Sequence, residues 1–299
     1  MCVQFWRNQG DKQRSQFICF KNSYHGDTTG AMSVCDPEDS MHSHFKGFLL
    51  QQFPHAVPST DEEFAAFDSF LQTHRQQTAG VIIEPLIQMA AGMKFHSPDA
   101  LKRIAKIVQQ HDLLLIADEV ATGLGRTGSM LAVHQAEVNP DILCVGKALT
   151  GGCVGLAATI ASRRVYEKFD SVRSTDALMH GPTFMGNPIA CAAANASLQL
   201  FASEPRLPQV KNIESQLSGA LSGLRDKKRV VDVRVKGAVG VVQFDHEVDV
   251  DAAIEFFIGL GVWIRPLRDT VYLAPSFTIQ PNELENLCNA VVQFVDQFA

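Results

Sequence analysis

The sequence lacks the features that mark nucleic-acid-binding, membrane or secreted proteins. It has no run rich in lysine and arginine, and 32 acidic residues outnumber 26 basic ones, for a formal net charge of −6. Nucleic acid is therefore a poor candidate partner. No apolar stretch is long enough to span a bilayer, and the first residues do not resemble a secretory signal. We therefore expect a cytoplasmic protein with no membrane association.

Cysteine is present, but not in the paired spacing that disulfide frameworks and metal sites use. The seven cysteines are Cys2, Cys19, Cys35, Cys144, Cys153, Cys191 and Cys288. Most lie inside apolar runs and no two have CxxC spacing, so we expect reduced thiols that act as small core residues. His42 and His44 form an HxH pair, for which a solvated loop is favoured over a metal site. We predict no metal site.

The composition is that of a globular protein, with apolar runs and helix signals in alternation. Hydrophobic residues make up 46% and charged residues 19% of the 299 residues. Continuous apolar strands are predicted at 17–20, 80–83, 113–117 and 142–145. Helices are predicted to begin at the capping box of Thr60 and at the cap Ser97. This alternation predicts an α/β domain with a mostly parallel sheet that is covered on both faces.

The pattern changes after an alanine-rich helix that follows Asn187-Pro188. Further along, the sequence predicts a hairpin at 230–244, a helix from about Asp251, strands at 262–265 and 271–273, and a last helix from about Pro281. We predict a large domain at 1–200 and a smaller α+β domain at 201–299. The first strand follows Met1 almost at once, so we expect a chain that is truncated at its N-terminus.

The densest chemical signal lies between residues 113 and 152. One buried strand ends in Asp118, and the next leads to Lys147, which is followed by the glycine pair Gly151-Gly152. Ligands of an open parallel sheet bind at the carboxyl ends of its strands. A lysine that forms an imine and an acid that keeps a ring nitrogen protonated suit a pyridine cofactor. Either residue alone would more readily be a helix cap or a surface charge.

Residues 123–128 match the dinucleotide motif GxGxxG letter for letter. That motif requires glycines that lead directly from a strand into a helix, with an acid about 20 residues further on. Here residues 118–122 separate the strand at 113–117 from the glycines, and no convincing helix begins after them. The acid at a suitable distance, Asp141, precedes the strand at 142–145, whereas the motif requires an acid at the end of a strand. A nicotinamide-dependent oxidoreductase is therefore the least favoured alternative.

Several motifs together resemble the class III aminotransferases. They are residues 116–128, 140–142 and 147–152, and three further stretches, 24–37, 179–188 and 261–266, narrow the resemblance to members that act in biotin biosynthesis. The similarity runs over essentially the whole chain. It implies the type I pyridoxal-phosphate fold, pyridoxal 5′-phosphate as cofactor, and a homodimer with shared active sites.

The resemblance implies a role for four residues around the cofactor ring. Lys147 forms the bond to the cofactor and then carries protons. Asp118 pairs with the pyridinium nitrogen, because a buried opposite charge favours the protonated ring. Tyr24 stacks on the ring and also touches the substrate, while Val120 packs on the opposite face.

Further residues are implied for the phosphate and the substrate. Pro182 and Thr183 would reach the phosphate of the neighbouring subunit, and Gly181 would line the substrate pocket. Arg265 would bind a carboxylate through its guanidinium fork, and Tyr272 would close that pocket. Because Arg265 follows an apolar tryptophan and isoleucine, we expect it to be buried.

The implied reaction transfers an amino group from S-adenosylmethionine to 8-amino-7-oxononanoate and yields 7,8-diaminononanoate. Kinetics should be ping-pong, because one cofactor serves both halves of the reaction. Two alternatives remain: another class III ω-aminotransferase that acts on ornithine or 4-aminobutyrate, and a catalytically inactive fragment. The resemblance also implies a segment before Met1 with a Gly-Ser phosphate loop, which this chain lacks.

Overall fold

Residues 1–38 and 41–298 are described by the computed structural model, and contacts between them define two units. The first unit comprises Met1–Thr122 and Ala132–Leu198, and the second comprises Gly123–Leu131 and Gln199–Ala299. The domain boundary near residue 200 stays a prediction. The loop Gly123–Leu131 groups with the second unit. A prediction that divides the chain at a single position cannot include such an exchange.

The first unit combines helices with a large sheet. Its helices are α1 (Cys2–Asn8), α2 (Thr29–Ser33), α3 (Asp61–His74), α4 (Pro98–Gln110), α5 (Arg163–Tyr166) and α6 (Pro188–Ser203), which continues into the second unit. Its strands are β1 (Gln16–Phe20), β2 (Phe53–His55), β3 (Thr78–Ile83), β4 (Ile87–Gln88), β5 (Lys94–Phe95), β6 (Leu114–Asp118), β7 (Ile142–Val145) and β8 (Ala158–Ala161). The predicted strands of this unit are confirmed as β1, β3, β6 and β7.

Six strands form one sheet in the order β2-β1-β3-β6-β7-β8. All neighbouring pairs are parallel except β7 and β8, so the predicted mostly parallel sheet is confirmed. The edge strand β8 was not predicted, and its central residues, Thr159 and Ile160, are exposed. In the parallel part, Ile83 is in register with Ala117, and Asp118 with Cys144. The carboxyl ends of β3, β6 and β7 therefore share one edge.

Local signals explain where the predicted helices begin. The Thr60 hydroxyl accepts the backbone N–H of Glu63 at 3.3 Å, and the Glu63 carboxylate accepts that of Thr60 at 3.1 Å. These two bonds satisfy N–H groups that the first turn of α3 cannot pair. At α4 the Ser97 hydroxyl accepts the Ala100 N–H at 3.0 Å. Both predicted helix starts are confirmed.

The second unit is an antiparallel sheet packed against helices. Its elements are α7 (Arg206–Leu221), β9 (Val230–Lys236), β10 (Val239–Phe244), α8 (Val250–Gly259), β11 (Thr270–Leu273) and α9 (Pro281–Phe298). Strand β10 is central and pairs with β9 and β11. The apolar stripes of α7 and α9 contribute to its core, for example through Leu217 and Val291. The predicted hairpin and last helix are confirmed.

One predicted strand of this unit is wrong. Residues 262–265 do not pair with a neighbouring strand. Pro266 has no N–H to donate, and the residue after it turns back to bond Thr270 at 2.8 Å. Trp263 is 68% exposed and Arg265 is exposed as well, so the expected burial of this arginine is also wrong.

The seven cysteines form no disulfide with one another in the structure. Four of them, Cys2, Cys19, Cys35 and Cys288, are buried, whereas Cys153 is exposed. No helix among the described residues is long and apolar enough to cross a membrane.

Candidate active site

Asp118 and Lys147 lie at the carboxyl ends of neighbouring strands. Asp118 is the last residue of β6, and Lys147 follows the end of β7 after a single glycine. The register pairs Asp118 with Cys144, and adjacent strands of a sheet are about 4.8 Å apart. The structure therefore brings the predicted carboxylate and lysine to the same edge of the sheet.

A tight turn sets the backbone of Lys147. Its φ is +46°, and it begins a short 3-10 helix, Lys147–Thr150, that ends at Gly151 with φ +62°. A positive φ is uncommon for a residue with a side chain, and such conformations often occur at functional sites. The side chain of Lys147 is exposed, so a ligand can reach its amine from solvent.

Val120 lies between the predicted acid and the turn before the lysine. Its backbone N–H donates to Asp118 Oδ1 at 3.1 Å. A Cβ added to Gly146 would lie 3.3 Å from Val120 Cγ1 and 3.6 Å from the Ala157 Cβ. The close approach leaves little room for a side chain at Gly146, so Val120 is held next to the residue that precedes Lys147.

Asp118 has a partner that the sequence analysis did not select. Oδ2 of its carboxylate lies 2.7 Å from His25 Nδ1, and the two side chains are 10% and 2% exposed, respectively. The second nitrogen of His25, Nε2, is buried and has no hydrogen-bond partner among the described residues. One signal in the sequence could have pointed to His25 as a site residue, because it directly follows Tyr24, the residue predicted to stack on the ring.

Glu84 fixes the loop that carries Tyr24. It follows β3, is buried, and its two carboxylate oxygens accept the backbone N–H groups of Tyr24 at 3.0 Å and Met89 at 3.1 Å. Burial raises the pKa of Glu84 to about 7, although His25 and the two N–H donors act in the opposite direction. Two carboxyl groups and an imidazole thus lie close together behind this edge of the sheet.

Tyr24 packs on His42. Their ring centroids are 5.6 Å apart at an interplanar angle of 20°, and the Tyr24 hydroxyl donates to Asp27 at 2.8 Å. Burial, followed by the bond to Asp27, raises the pKa of Tyr24 to about 12, so its hydroxyl stays protonated. His42 is buried and lies 3.0 Å from the same carboxylate. The predicted solvated loop is therefore wrong for His42, although His44 is exposed.

An exposed turn of the first unit contains Gly181, Pro182 and Thr183. The turn is closed by the Met185 N–H, which donates to the Pro182 carbonyl at 2.9 Å. Its exposure is compatible with a ligand or a second chain, and the roles implied for the three residues stay predictions.

Arg265 and Tyr272 belong to the second unit. Arg265 lies in the unpaired segment after α8, and its guanidinium has no ion-pair or hydrogen-bond partner in the part of the chain that the structure describes. Tyr272 is half-buried in β11, opposite Val241 of β10. Their roles at a carboxylate pocket likewise stay predictions.

The GxGxxG stretch forms turns and does not lead from a strand into a helix. Within the second unit, the half-buried Arg126 donates to the carbonyls of Ala238 at 3.0 Å and Pro275 at 2.8 Å. Its guanidinium lies 4.7 Å from the centre of the Phe277 ring, and burial lowers the pKa of Arg126 to about 10. This loop is a packing element, which argues against a dinucleotide site.

Comparison with known proteins identifies relatives along the whole chain. Residues 1–295 match the family described as aminotransferase class-III. Adenosylmethionine-8-amino-7-oxononanoate aminotransferase from Buchnera aphidicola subsp. Schizaphis graminum is 42% identical, over 99% of this chain and 70% of that protein. The protein of the same name from Mycobacterium leprae is 40% identical, over 98% and 68%.

Solved structures agree with these relatives. The aminotransferase of the same name from Methanocaldococcus jannaschii superposes with a TM-score of 0.92 at 31% identity, over 99% of this chain and 71% of that one. A PLP-bound amine transaminase from an uncultivated Pseudomonas species gives 0.90 at 28% identity, over 100% and 73%. The fold is the type I fold of pyridoxal-phosphate-dependent transferases, as the resemblance implied. From the match over residues 1–295 and the identity to these relatives, the chain belongs to the class III aminotransferase family.

Proposed function

We propose that this chain is a pyridoxal-phosphate-dependent aminotransferase that transfers the amino group of S-adenosylmethionine to 8-amino-7-oxononanoate. The product would be 7,8-diaminononanoate, an intermediate of biotin biosynthesis. Relatives that carry this substrate pair in their name, at 40–42% identity, support the choice of substrates. The observation that carries the proposal is the position of Asp118 and Lys147 at adjoining ends of β6 and β7.

The described residues fit pyridoxal phosphate. Asp118 offers a buried carboxylate to a protonated ring nitrogen, and its contact with His25 holds that carboxylate in place. Lys147 offers an exposed amine to the aldehyde carbon. When bound, the cofactor supplies an electron sink for the electron pair that is left when a substrate C–H bond breaks. Tyr24 and Val120 would cover the two faces of the ring.

Lys147 would act as the proton carrier of both half-reactions. With a substrate amine bound to the cofactor in place of Lys147, the Nζ of Lys147 would be a free base that could take the proton from the amine-bearing carbon of the donor. The same nitrogen returns a proton in the second half-reaction, when the acceptor's carbonyl carbon becomes the amine-bearing carbon. Because one cofactor would serve both halves of the reaction, donor and acceptor would use the same site in turn, and ping-pong kinetics are expected.

The other candidate residues would bind and orient the substrates. Tyr24 would pack its ring on the cofactor, and its hydroxyl oxygen, whose proton is donated to Asp27, can accept a hydrogen bond from a substrate. Arg265 would bind the carboxylate of the oxo acid, since a guanidinium matches two carboxylate oxygens. Tyr272 would close the carboxylate pocket, and Gly181 would line the substrate pocket.

We further propose a cytoplasmic homodimer in which each subunit contributes Pro182 and Thr183 to the phosphate of its partner. Exposed apolar side chains around this turn support a protein interface. They are Leu178 at 39%, Met179 at 69%, Phe184 at 81%, Met185 at 63% and Ile189 at 74% exposure.

The decisive experiment replaces Lys147 by alanine. We expect the wild-type protein to bind pyridoxal phosphate with the visible absorbance of a lysine-bound cofactor, and Lys147→Ala to lose that band. Transamination should fall by roughly three orders of magnitude or more, because the proton carrier is absent. Lys106→Ala, an exposed lysine on α4, is the matched control and should behave as wild type. A band that persists without Lys147 contradicts the proposal, and a wild-type chain that binds no cofactor favours the inactive-fragment alternative.

The choice of donor needs a separate test. The structural likeness to an amine transaminase keeps an ω-amine donor as the second candidate. We expect S-adenosylmethionine to support turnover with 8-amino-7-oxononanoate, and lysine, ornithine and 4-aminobutyrate to be poor donors. A faster reaction with ornithine or 4-aminobutyrate would replace the proposed substrate pair by the ω-amine alternative.

A further inference from the structure

Helix α1 contacts the chain just before the turn of Gly181–Thr183. The side-chain amide of Gln4 donates to the carbonyl of Ala177 at 2.6 Å, and its oxygen accepts the N–H of Met179 at 3.0 Å. One carboxamide thus pairs with a C=O and an N–H two residues apart, as a neighbouring β-strand would. These bonds join residues that are 173 and 175 positions apart in sequence.

Helix α1 is itself anchored to the first unit. The Trp6 indole donates to the Ala79 carbonyl of β3 at 2.7 Å, and Phe5 and Trp6 are buried. Asn8, on the next turn, donates to the carbonyls of Lys168 at 2.8 Å and Asp176 at 2.9 Å. The helix is therefore a fixed support, and Gln4 transmits that support to the backbone at 177–179.

The other end of the turn is also fixed. Asn187 Oδ1 accepts the backbone N–H groups of Ile189 at 3.0 Å and Ala190 at 3.1 Å, which caps the first turn of α6. Residues 180–186 are exposed and lie between these two attachment points. A short segment whose ends are held loses less conformational entropy when it binds a ligand than one with a free end.

We propose that Gln4 is a positioning residue that holds the turn of Gly181–Thr183 in the conformation that contacts the cofactor phosphate. Gln4 touches neither cofactor nor substrate in this scheme and acts only through the backbone at 177–179. The inference rests on the proposed role of Pro182 and Thr183 in binding the phosphate. It adds Gln4 as a residue that supports phosphate binding indirectly.

The first test measures the attachment itself, in the cofactor-free protein. Gln4→Met keeps the length of the side chain but removes both hydrogen bonds to the 177–179 backbone. Amide hydrogen exchange in peptides that cover 176–186 should accelerate about tenfold, as expected for the loss of two ordinary hydrogen bonds. Gln9→Met is the matched control, because Gln9 bonds only the Phe5 carbonyl of its own helix. Unchanged exchange at 176–186 in Gln4→Met would overturn the proposal.

The second test asks whether the attachment serves the phosphate. Pyridoxal phosphate and pyridoxal differ only in the phosphate group, so the dissociation constants of both are measured for wild type, Gln4→Met and Gln9→Met. We expect Gln4→Met to weaken pyridoxal phosphate binding about tenfold and to leave pyridoxal binding unchanged. Gln4→Glu retains only the acceptor for Met179 and should lie between wild type and Gln4→Met.

The outcomes separate this inference from the proposed function. Equal weakening of both ligands shows a general structural defect and overturns the positioning role, as does no weakening of either. If wild type binds pyridoxal phosphate but the Gln4 variants do not show the expected change in its dissociation constant, the inference fails and the proposed function stands. A wild type that binds no pyridoxal phosphate overturns both.

Discussion

Asp118, His25 and Glu84 place three ionisable groups in a largely buried neighbourhood. A buried charge is costly unless it is paired, and each carboxylate here has partners. Asp118 is paired with His25 at 2.7 Å, whereas the Glu84 carboxylate accepts its two hydrogen bonds from backbone N–H groups. Burial is the largest influence on Glu84 and raises its pKa to about 7. At neutral pH Glu84 therefore lies near its titration midpoint, next to the predicted cofactor acid.

The raised pKa of Glu84 predicts a pH dependence of stability. Between pH 4.5 and about 7 the folded state binds more protons than the unfolded state at this group, so stability falls as pH rises through that window. The contribution is on the order of 3 kcal/mol. The test is urea unfolding of the cofactor-free protein at pH 5 and pH 8. From pH 5 to pH 8 the free energy of unfolding should decrease less in Glu84→Gln than in wild type.

The control for this experiment is Glu62→Gln, which changes an exposed carboxylate in the first turn of α3. It should show the same decline between pH 5 and pH 8 as wild type. A decline in Glu84→Gln that equals or exceeds the wild-type decline would contradict the raised pKa.

At the scale of elements, the turn between β9 and β10 depends on one glycine. Gly237 has φ +55°, and a Cβ there would lie 2.5 Å from the Arg126 carbonyl oxygen. The next residue, Ala238, donates its N–H to the same oxygen at 3.0 Å. The GxGxxG loop and the hairpin turn therefore approach each other closely inside the second unit, and only glycine fits between them.

Gly237→Ala should destabilise the protein by about 2 kcal/mol or more, because the added methyl group meets backbone atoms that cannot move aside cheaply. Gly259→Ala is a matched control at the end of α8, where an added Cβ has no atom within 4 Å. It should be neutral or slightly stabilising, since alanine favours helix more than glycine does. Thermal unfolding of both variants tests this, and similar midpoints for the two would refute the close approach.

At the scale of the whole molecule, apolar exposure is concentrated around the turn of Gly181–Thr183. Phe184 is 81% and Ile189 is 74% exposed, on either side of the cap that begins α6. Single exposed apolar residues are ordinary, but several within a dozen residues indicate a surface that is covered by another protein. A second copy of this chain fits the shared-site arrangement that we propose.

Sedimentation equilibrium should therefore give twice the chain mass of 32.7 kDa. Phe184→Asp should weaken or abolish the dimer, because a charge would be buried without a partner. Ile258→Asp, which changes an exposed residue of α8 in the second unit, should leave the mass unchanged. A wild-type protein that stays monomeric at micromolar concentration would exclude the shared site.

Much of the first unit could be predicted because its signals are local. A short run of apolar residues such as 142–145 favours a strand, and the caps at Thr60 and Ser97 bond within their own first turns. The proximity of Asp118 and Lys147 could be predicted as well, because parallel strands bring their carboxyl ends to one edge of the sheet.

Other features required the tertiary structure because they depend on contacts between distant positions. Gln4 bonds a segment 173 residues away, His25 contacts Asp118 across 93 residues, and Arg126 donates to the carbonyls of Ala238 and Pro275. The failed strand at 262–265 belongs here too, since its apolar pattern is genuine but no neighbouring edge pairs with it. The sequence by itself determined the family, the sheet and the lysine–aspartate pair, whose signals are short-range or lie in contiguous motifs. Only the folded chain decided which side chains support that pair, because such partners are selected by proximity in space and leave no fixed spacing in the sequence.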